Sequence, residues 1–229
     1  IFPISWERVS GIADLHENLS PLVGDVQVIY YSDAGDLQRF KDLQKRLKKN
    51  LLDKEYVKKI AVKRCEDANT MCHHMDISLD TSEIRKTAGS IIMTLADAVA
   101  VYNQDYYHFG LKKQFENLQN NFPGIPGSIA AGYKNVVEAT KIEDVKKYTA
   151  KLLKDVCEYI NITCTVNEIP EKVSPAENKP DISWLAELYG EIISTFNKIY
   201  VCCKNGNYIL AFLSAVCLQR DLDDAGARG

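Results

Sequence analysis

Residues 56–72 read YVKKIAVKRCEDANTMC, and residues 148–164 read YTAKLLKDVCEYINITC. Aligned without gaps, Tyr56, Lys59, Cys65, Glu66, Asn69 and Cys72 recur as Tyr148, Lys151, Cys157, Glu158, Asn161 and Cys164. Self-similarity on this scale points to a repeated architecture. It extends both ways. Downstream, Asp80, Ser82, Ile84, Gly89, Ile91, Ile92 and Thr94 match Asp181, Ser183, Leu185, Gly190, Ile192, Ile193 and Thr195. Upstream, Asn18, Leu22, Gly24, Val26 and Tyr30 match Asn121, Ile125, Gly127, Ile129 and Tyr133. The three blocks are collinear and predict two copies, roughly residues 18–109 and 121–213, with only the linkers differing.

Hydrophobic spacing reads as helix throughout. Trp6, Val9, Ile12 and Ala13 form a short stripe after Ser5, a candidate N-cap. Leu22–Tyr30 follows. The stretch VQVIYY at 26–31 would make a strand in isolation, but its match at 129–133, IAAGY, is a poor strand former, so helix is expected for both. Asp36 can cap a helix carrying Leu37, Phe40, Leu47 and Leu51. Tyr56–Ala68 is the first cysteine helix. Asp80-Thr-Ser82 caps a long apolar helix from Ile84 to Tyr102, whose wide stripe suits the centre of a bundle. Copy two repeats the scheme: 128–140, 143–160, then, after a Pro-containing loop at 165–180, helices at 183–203 and 208–220. The expected fold is all-α, a tandem duplication of a small antiparallel bundle with about eight to nine helices, braced by disulfides. Residues 1–121 hold an N-terminal extension and the first repeat. FPGIPG at 122–127 is the boundary, because its prolines and glycines cannot continue a helix. Residues 128–220 are the second repeat and 221–229 a frayed tail.

Seven cysteines and two sequons, at Asn18 and Asn161, predict a secreted, glycosylated protein. Cys65 and Cys72 lie seven apart, as do Cys157 and Cys164. Along one straight helix that is about 10.5 Å, whereas a disulfide needs Cα atoms within about 7 Å. Local bridges Cys65–Cys72 and Cys157–Cys164 therefore require the helix to end between them. The competing scheme pairs them with Cys202, Cys203 or Cys217, and Cys202 or Cys203 with Cys217 could also tie the last two helices. One thiol is left over.

The charge balance, 28 basic against 31 acidic residues and a net −3, argues against a nucleic-acid binder. The basic run KDLQKRLKK at 41–49 reads as a solvated helix face. No apolar run is long enough to span a bilayer. The chain opens at Ile1 without a signal peptide, which reads as a processed product.

Chemistry is sparse. Cys72-His73-His74 with Asp76 is the nearest approach to a metal cluster, but the second copy has Cys164-Thr-Val-Asn there. An exposed loop is the simpler reading, and no metal or cofactor is expected. No phosphate loop, nucleophile elbow or Cys-x-x-Cys occurs, so no enzyme is expected. Tyr102, Tyr106, Tyr107, His108 and Trp184 stand out as ligand or partner candidates, since their region differs between the copies. The expected function is that of a secreted, non-enzymatic helical protein engaging an extracellular macromolecule, as a monomer or dimer. The alternative is a carrier of an apolar small molecule or lipid in a cavity between helices.

Overall fold

A computed structural model describes residues 3–122, 124–163 and 183–226. Ten α-helices and a short 3-10 turn make up the ordered elements among them, with no strand. No described helix is long and apolar enough to cross a membrane.

Caps set most of the boundaries. Ser5 accepts from the Arg8 amide and opens α1 (Trp6–Ala13), as its position predicts. After the single turn α2 (Pro21–Gly24), Asp33 rather than Asp36 caps α3 (Ala34–Leu52), accepting from the amides of Gly35 and Asp36. Asp53 caps α4 (Lys54–Ile77), and Asp80 caps α5 (Thr81–Tyr102). A 3-10 turn at Gly110–Lys112 leads to α6 (Gln114–Asn120), followed by α7 (Gly127–Glu138) and α8 (Ile142–Ile160). The last two helices are α9 (Ser183–Lys204) and α10 (Tyr208–Gly226). Beyond Arg220, where the apolar pattern ends, α10 runs on; Lys86 Nζ meets Asp223 Oδ2 at 2.8 Å.

The main core joins both halves of the chain. Helix α5 is buried almost all round, from Ile84 through Ile91, Ile92 and Leu95 to Val99, against α4, α7, α8 and α10. A smaller cluster from α1, the turn after it, α2 and α3 (Ile12, Leu15, Val23, Leu47) continues onto Val57 of α4 and Val101 of α5. The two clusters are stitched by Arg64 of α4. Its Nε donates to Asp97 of α5 at 2.6 Å, and Nη2 donates to the Leu15 carbonyl at 3.0 Å.

Two expectations are corrected here. First, α4 does not end between Cys65 and Cys72. Its buried stripe, Ala61, Cys65, Ala68, Cys72 and Met75, passes straight through Asn69-Thr70, and the Thr70 hydroxyl donates to the Glu66 carbonyl at 3.1 Å. Tertiary burial outweighs the weak local propensity. Both thiols are free, as are Cys202, Cys203 and Cys217. Neither the Cys65–Cys72 bridge nor the competing pairings among these five is formed. His73, His74 and Asp76 accordingly sit in the last turns of α4 and not in a loop. In the matching segment α8 does stop. Asn161 adopts φ +60° and the Ile162 amide reaches back to the Cys157 carbonyl at 3.0 Å, a Schellman-type ending. Cys157 is disulfide-bonded; Cys164 lies outside the described residues.

Second, Val26–Tyr31 is not helical. The segment is an irregular, exposed strap between α2 and α3. Three β-branched residues and two tyrosines disfavour helix, and the Asp33 cap starts the next helix only at Ala34. Its match in the second copy does form a helix, α7, with Tyr133 fully buried.

Candidate functional site

The strap borders a hollow of about 320 Å³ beside α1 and α3, lined by Trp6, Val28, Tyr30, Tyr31, Ser32, Asp36, Leu37 and Phe40. Trp6 also borders a larger, more polar hollow of about 600 Å³ with Ser10, Gln38, Arg39, Asp42 and Arg46. The Arg39 guanidinium stands 4.5 Å above the Trp6 ring, a cation–π contact that fixes the ring between the two.

The strap is anchored at its start. There the Gln44 amide of α3 donates to the carbonyls of Val23 and Val26, at 2.9 and 3.0 Å. Just before it, Asp25 accepts from the Tyr106 hydroxyl at 3.0 Å and pairs with His108 Nδ1 at 2.9 Å. His108 Nε2 lies 3.1 Å from Asp105 Oδ1, and the Tyr106 and His108 rings are 4.4 Å apart. Gly24 permits this clasp, because a Cβ there would collide with the Tyr106 hydroxyl. Partial burial pulls the His108 pKa down, but the bonds and charges of Asp25 and Asp105 outweigh it and leave the net value raised. Desolvation and the bond to Asp25 push the Tyr106 hydroxyl up. The result is an ionic clasp, with both ring nitrogens occupied by carboxylates.

Past these anchors the strap is open. Ile29 and Tyr30 are 96% and 81% exposed, and Tyr31 is about half exposed. No backbone hydrogen bond joins residues 27–32 to another described residue. Donors, acceptors and apolar side chains thus face solvent together. Backbone groups of this kind pair with an extended chain, while alternate side chains supply contacts.

The candidates picked out by sequence scatter. Tyr107 is core: its hydroxyl donates to the Ala96 carbonyl at 3.0 Å and its ring meets Phe122 edge-on. Tyr102 is half-buried against Tyr159, with centroids 5.5 Å apart. Tyr106 is buried and, with His108, belongs to the clasp. The Trp184 side chain lies outside the described residues. Asn18 and Asn161 are both exposed. Sequence reading missed Trp6, Asp25 and the strap as a surface. A usable signal was present: an N-cap at Asp33 leaves the preceding β-branched and aromatic residues without a helix.

Among the described residues no group of three or more His, Cys, Asp or Glu is arranged to hold a metal ion. Compared with known protein families, curated proteins and solved structures, the chain matches none.

Proposed function

We propose that this chain is a secreted, non-enzymatic helical protein that engages an extracellular macromolecule through the strap and the Trp6 groove. The observation that carries this reading is the exposure of Ile29 and Tyr30 on an irregular segment anchored at its start, with no backbone hydrogen bond from residues 27–32 to another described residue. Monomeric proteins seldom leave such apolar surface open without a use. A Cys157–Cys164 bridge would brace the end of α8, and the disulfide at Cys157 supports an oxidising compartment. Exposure of both sequon asparagines is what glycosylation requires. On this reading the sequence repeat is the trace of a tandem duplication whose copies have diverged, one keeping a helix where the other keeps the strap.

The test is capture from the fluid of the source tissue, on the wild-type protein and on Ile29→Ser/Tyr30→Ser. A stoichiometric partner held by the wild type and lost by the variant, at unchanged stability, supports the reading. Equal capture by both, or none by either, overturns it.

A carrier of apolar small molecules has less support. The hollow between α4 and α8, about 440 Å³, includes Cys72, Leu153 and Ile162, but Asp76, Lys154 and Glu158 also line it. Solvent extraction followed by mass spectrometry would reveal a bound lipid if that reading holds.

A further inference from the structure

Helix α9 uses one side of its circumference inside the fold. It packs on α10, and Ile192, Thr195, Ile199 and Cys202, spaced three and four apart, are half-buried. A second row runs beside them. Tyr189, Ile193, Phe196, Tyr200 and Cys203 follow at steps of four, three, four and three, which confines them to one narrow arc of the helix. All five are exposed, the first four by 64, 41, 55 and 67%, and Cys203 carries a free thiol. Glu191 and Lys198 are the only charged residues in the sequence between 189 and 203, and helical geometry puts Lys198 on the opposite side. The matched helix in the first copy, α5, buries this same side: Ile92 is fully buried where Ile193 is exposed.

The size of the patch fits a protein interface. An aromatic side chain presents about 150–250 Å². Tyr189, Phe196, Tyr200 and the neighbouring Tyr208, 61% exposed, therefore leave on the order of 500 Å² uncovered. That is near the upper end for a lone monomer, about 300–600 Å². It also supplies most of the roughly 800 Å² per partner of a standard interface, before any polar rim is counted.

The pattern selects the occupant. Phe196 is the midpoint, with Tyr189 seven residues before it and Cys203 seven after. A second α9 laid antiparallel on the first presents the same row in reverse, and three-four rows of this kind interlock as knobs and holes. An isologous contact matches an uncharged apolar row to itself and needs no complementary charge. We propose that the chain forms a dimer through the Tyr189–Cys203 row of α9, packed antiparallel on α9 of a second copy about a two-fold axis at Phe196. Tyr189 then lies opposite Cys203 of the partner subunit.

Sedimentation equilibrium on the full chain tests this. A dimer is expected, and Phe196→Glu should weaken it about tenfold or more with helical circular dichroism unchanged. Tyr189→Cys supplies a second reading: mild oxidation should link position 189 to Cys203 of the partner subunit. A monomer across the accessible concentration range overturns the proposal, as does a dimer indifferent to Phe196→Glu. The surface lies on other helices than the strap, so its failure and that of partner capture are told apart by separate variants.

Discussion

Gly89 of α5 and Val216 of α10 meet so closely that a Cβ on the glycine would overlap the valine side chain. The glycine is therefore a packing device between two central helices. Alanine is the better helix former by about 1 kcal/mol, yet overpacking costs about 1–3 kcal/mol. Gly89→Ala should lower stability in urea unfolding, and Val216→Ala should relieve the clash, so that the double variant is more stable than the two single losses add up to. At Gly190, the matching position, nothing stands within 4 Å of a Cβ, and Gly190→Ala should stabilise by up to about 1 kcal/mol.

The Arg64–Asp97 pair is buried on both sides, with 16% and 7% of the side chains exposed. Truncating one partner of such a pair costs about 3–5 kcal/mol, whereas replacing both with apolar residues costs far less. Arg64→Leu should therefore be strongly destabilising, and Arg64→Met/Asp97→Leu should recover much of the loss. Burial raises the Asp97 pKa, and Arg64 opposes that rise. A carboxyl with a raised folded pKa favours the fold below its unfolded value, about 3.9, and that contribution is lost as pH climbs through the folded value. Without Arg64 the decline in stability with rising pH should steepen, which acid-range denaturation series would show.

His108 titrates the other way in origin but with the same sign. Its raised pKa means the clasp favours the fold fully below the unfolded value, about 6.5, and loses that contribution as pH rises through the folded one. Proton NMR of the His108 ring should read a pKa above the ordinary range, and Asp25→Asn should bring it down. An unshifted value in the wild type would contradict the clasp.

Thiol reactivity separates the cysteines. Burial, with a smaller push from Glu66 and Asp76 respectively, raises Cys65 and Cys72 to about 12. Only the thiolate reacts. In the Phe196→Glu variant, whose α9 row is uncovered, iodoacetamide at neutral pH should label Cys203 quickly and spare Cys65 and Cys72 until the protein unfolds, as peptide mass spectrometry would report.

The helices were legible because caps and stripes coincide: Ser5, Asp80 and the spacing from Ile84 to Val99 place their elements with little help from tertiary context. The repeat was a poorer guide. Asn69 and Asn161 occupy matched positions, yet buried Cys72 and Met75 pull α4 through the first while α8 ends at the second. Tyr30 and Tyr133 match, yet one is a surface ring and the other a core ring bonded to Gln114 at 2.8 Å. Identity between the matched segments cannot say which neighbours each one finds. The groove was invisible for a related reason: Trp6, Asp25, Tyr31, Phe40 and His108 are far apart in sequence, and only the packing of α1 on α3 and the Asp25–His108 contact bring them together.

Site-specific photo-crosslinking tests the proposed role of the strap most directly. A photoreactive residue replaces Tyr30 in one protein and Lys154, exposed on α8, in another, and both are irradiated in the source fluid. One discrete heavier adduct is expected from position 30 and none from position 154. Indistinguishable products from the two positions, or none from position 30, would contradict that role.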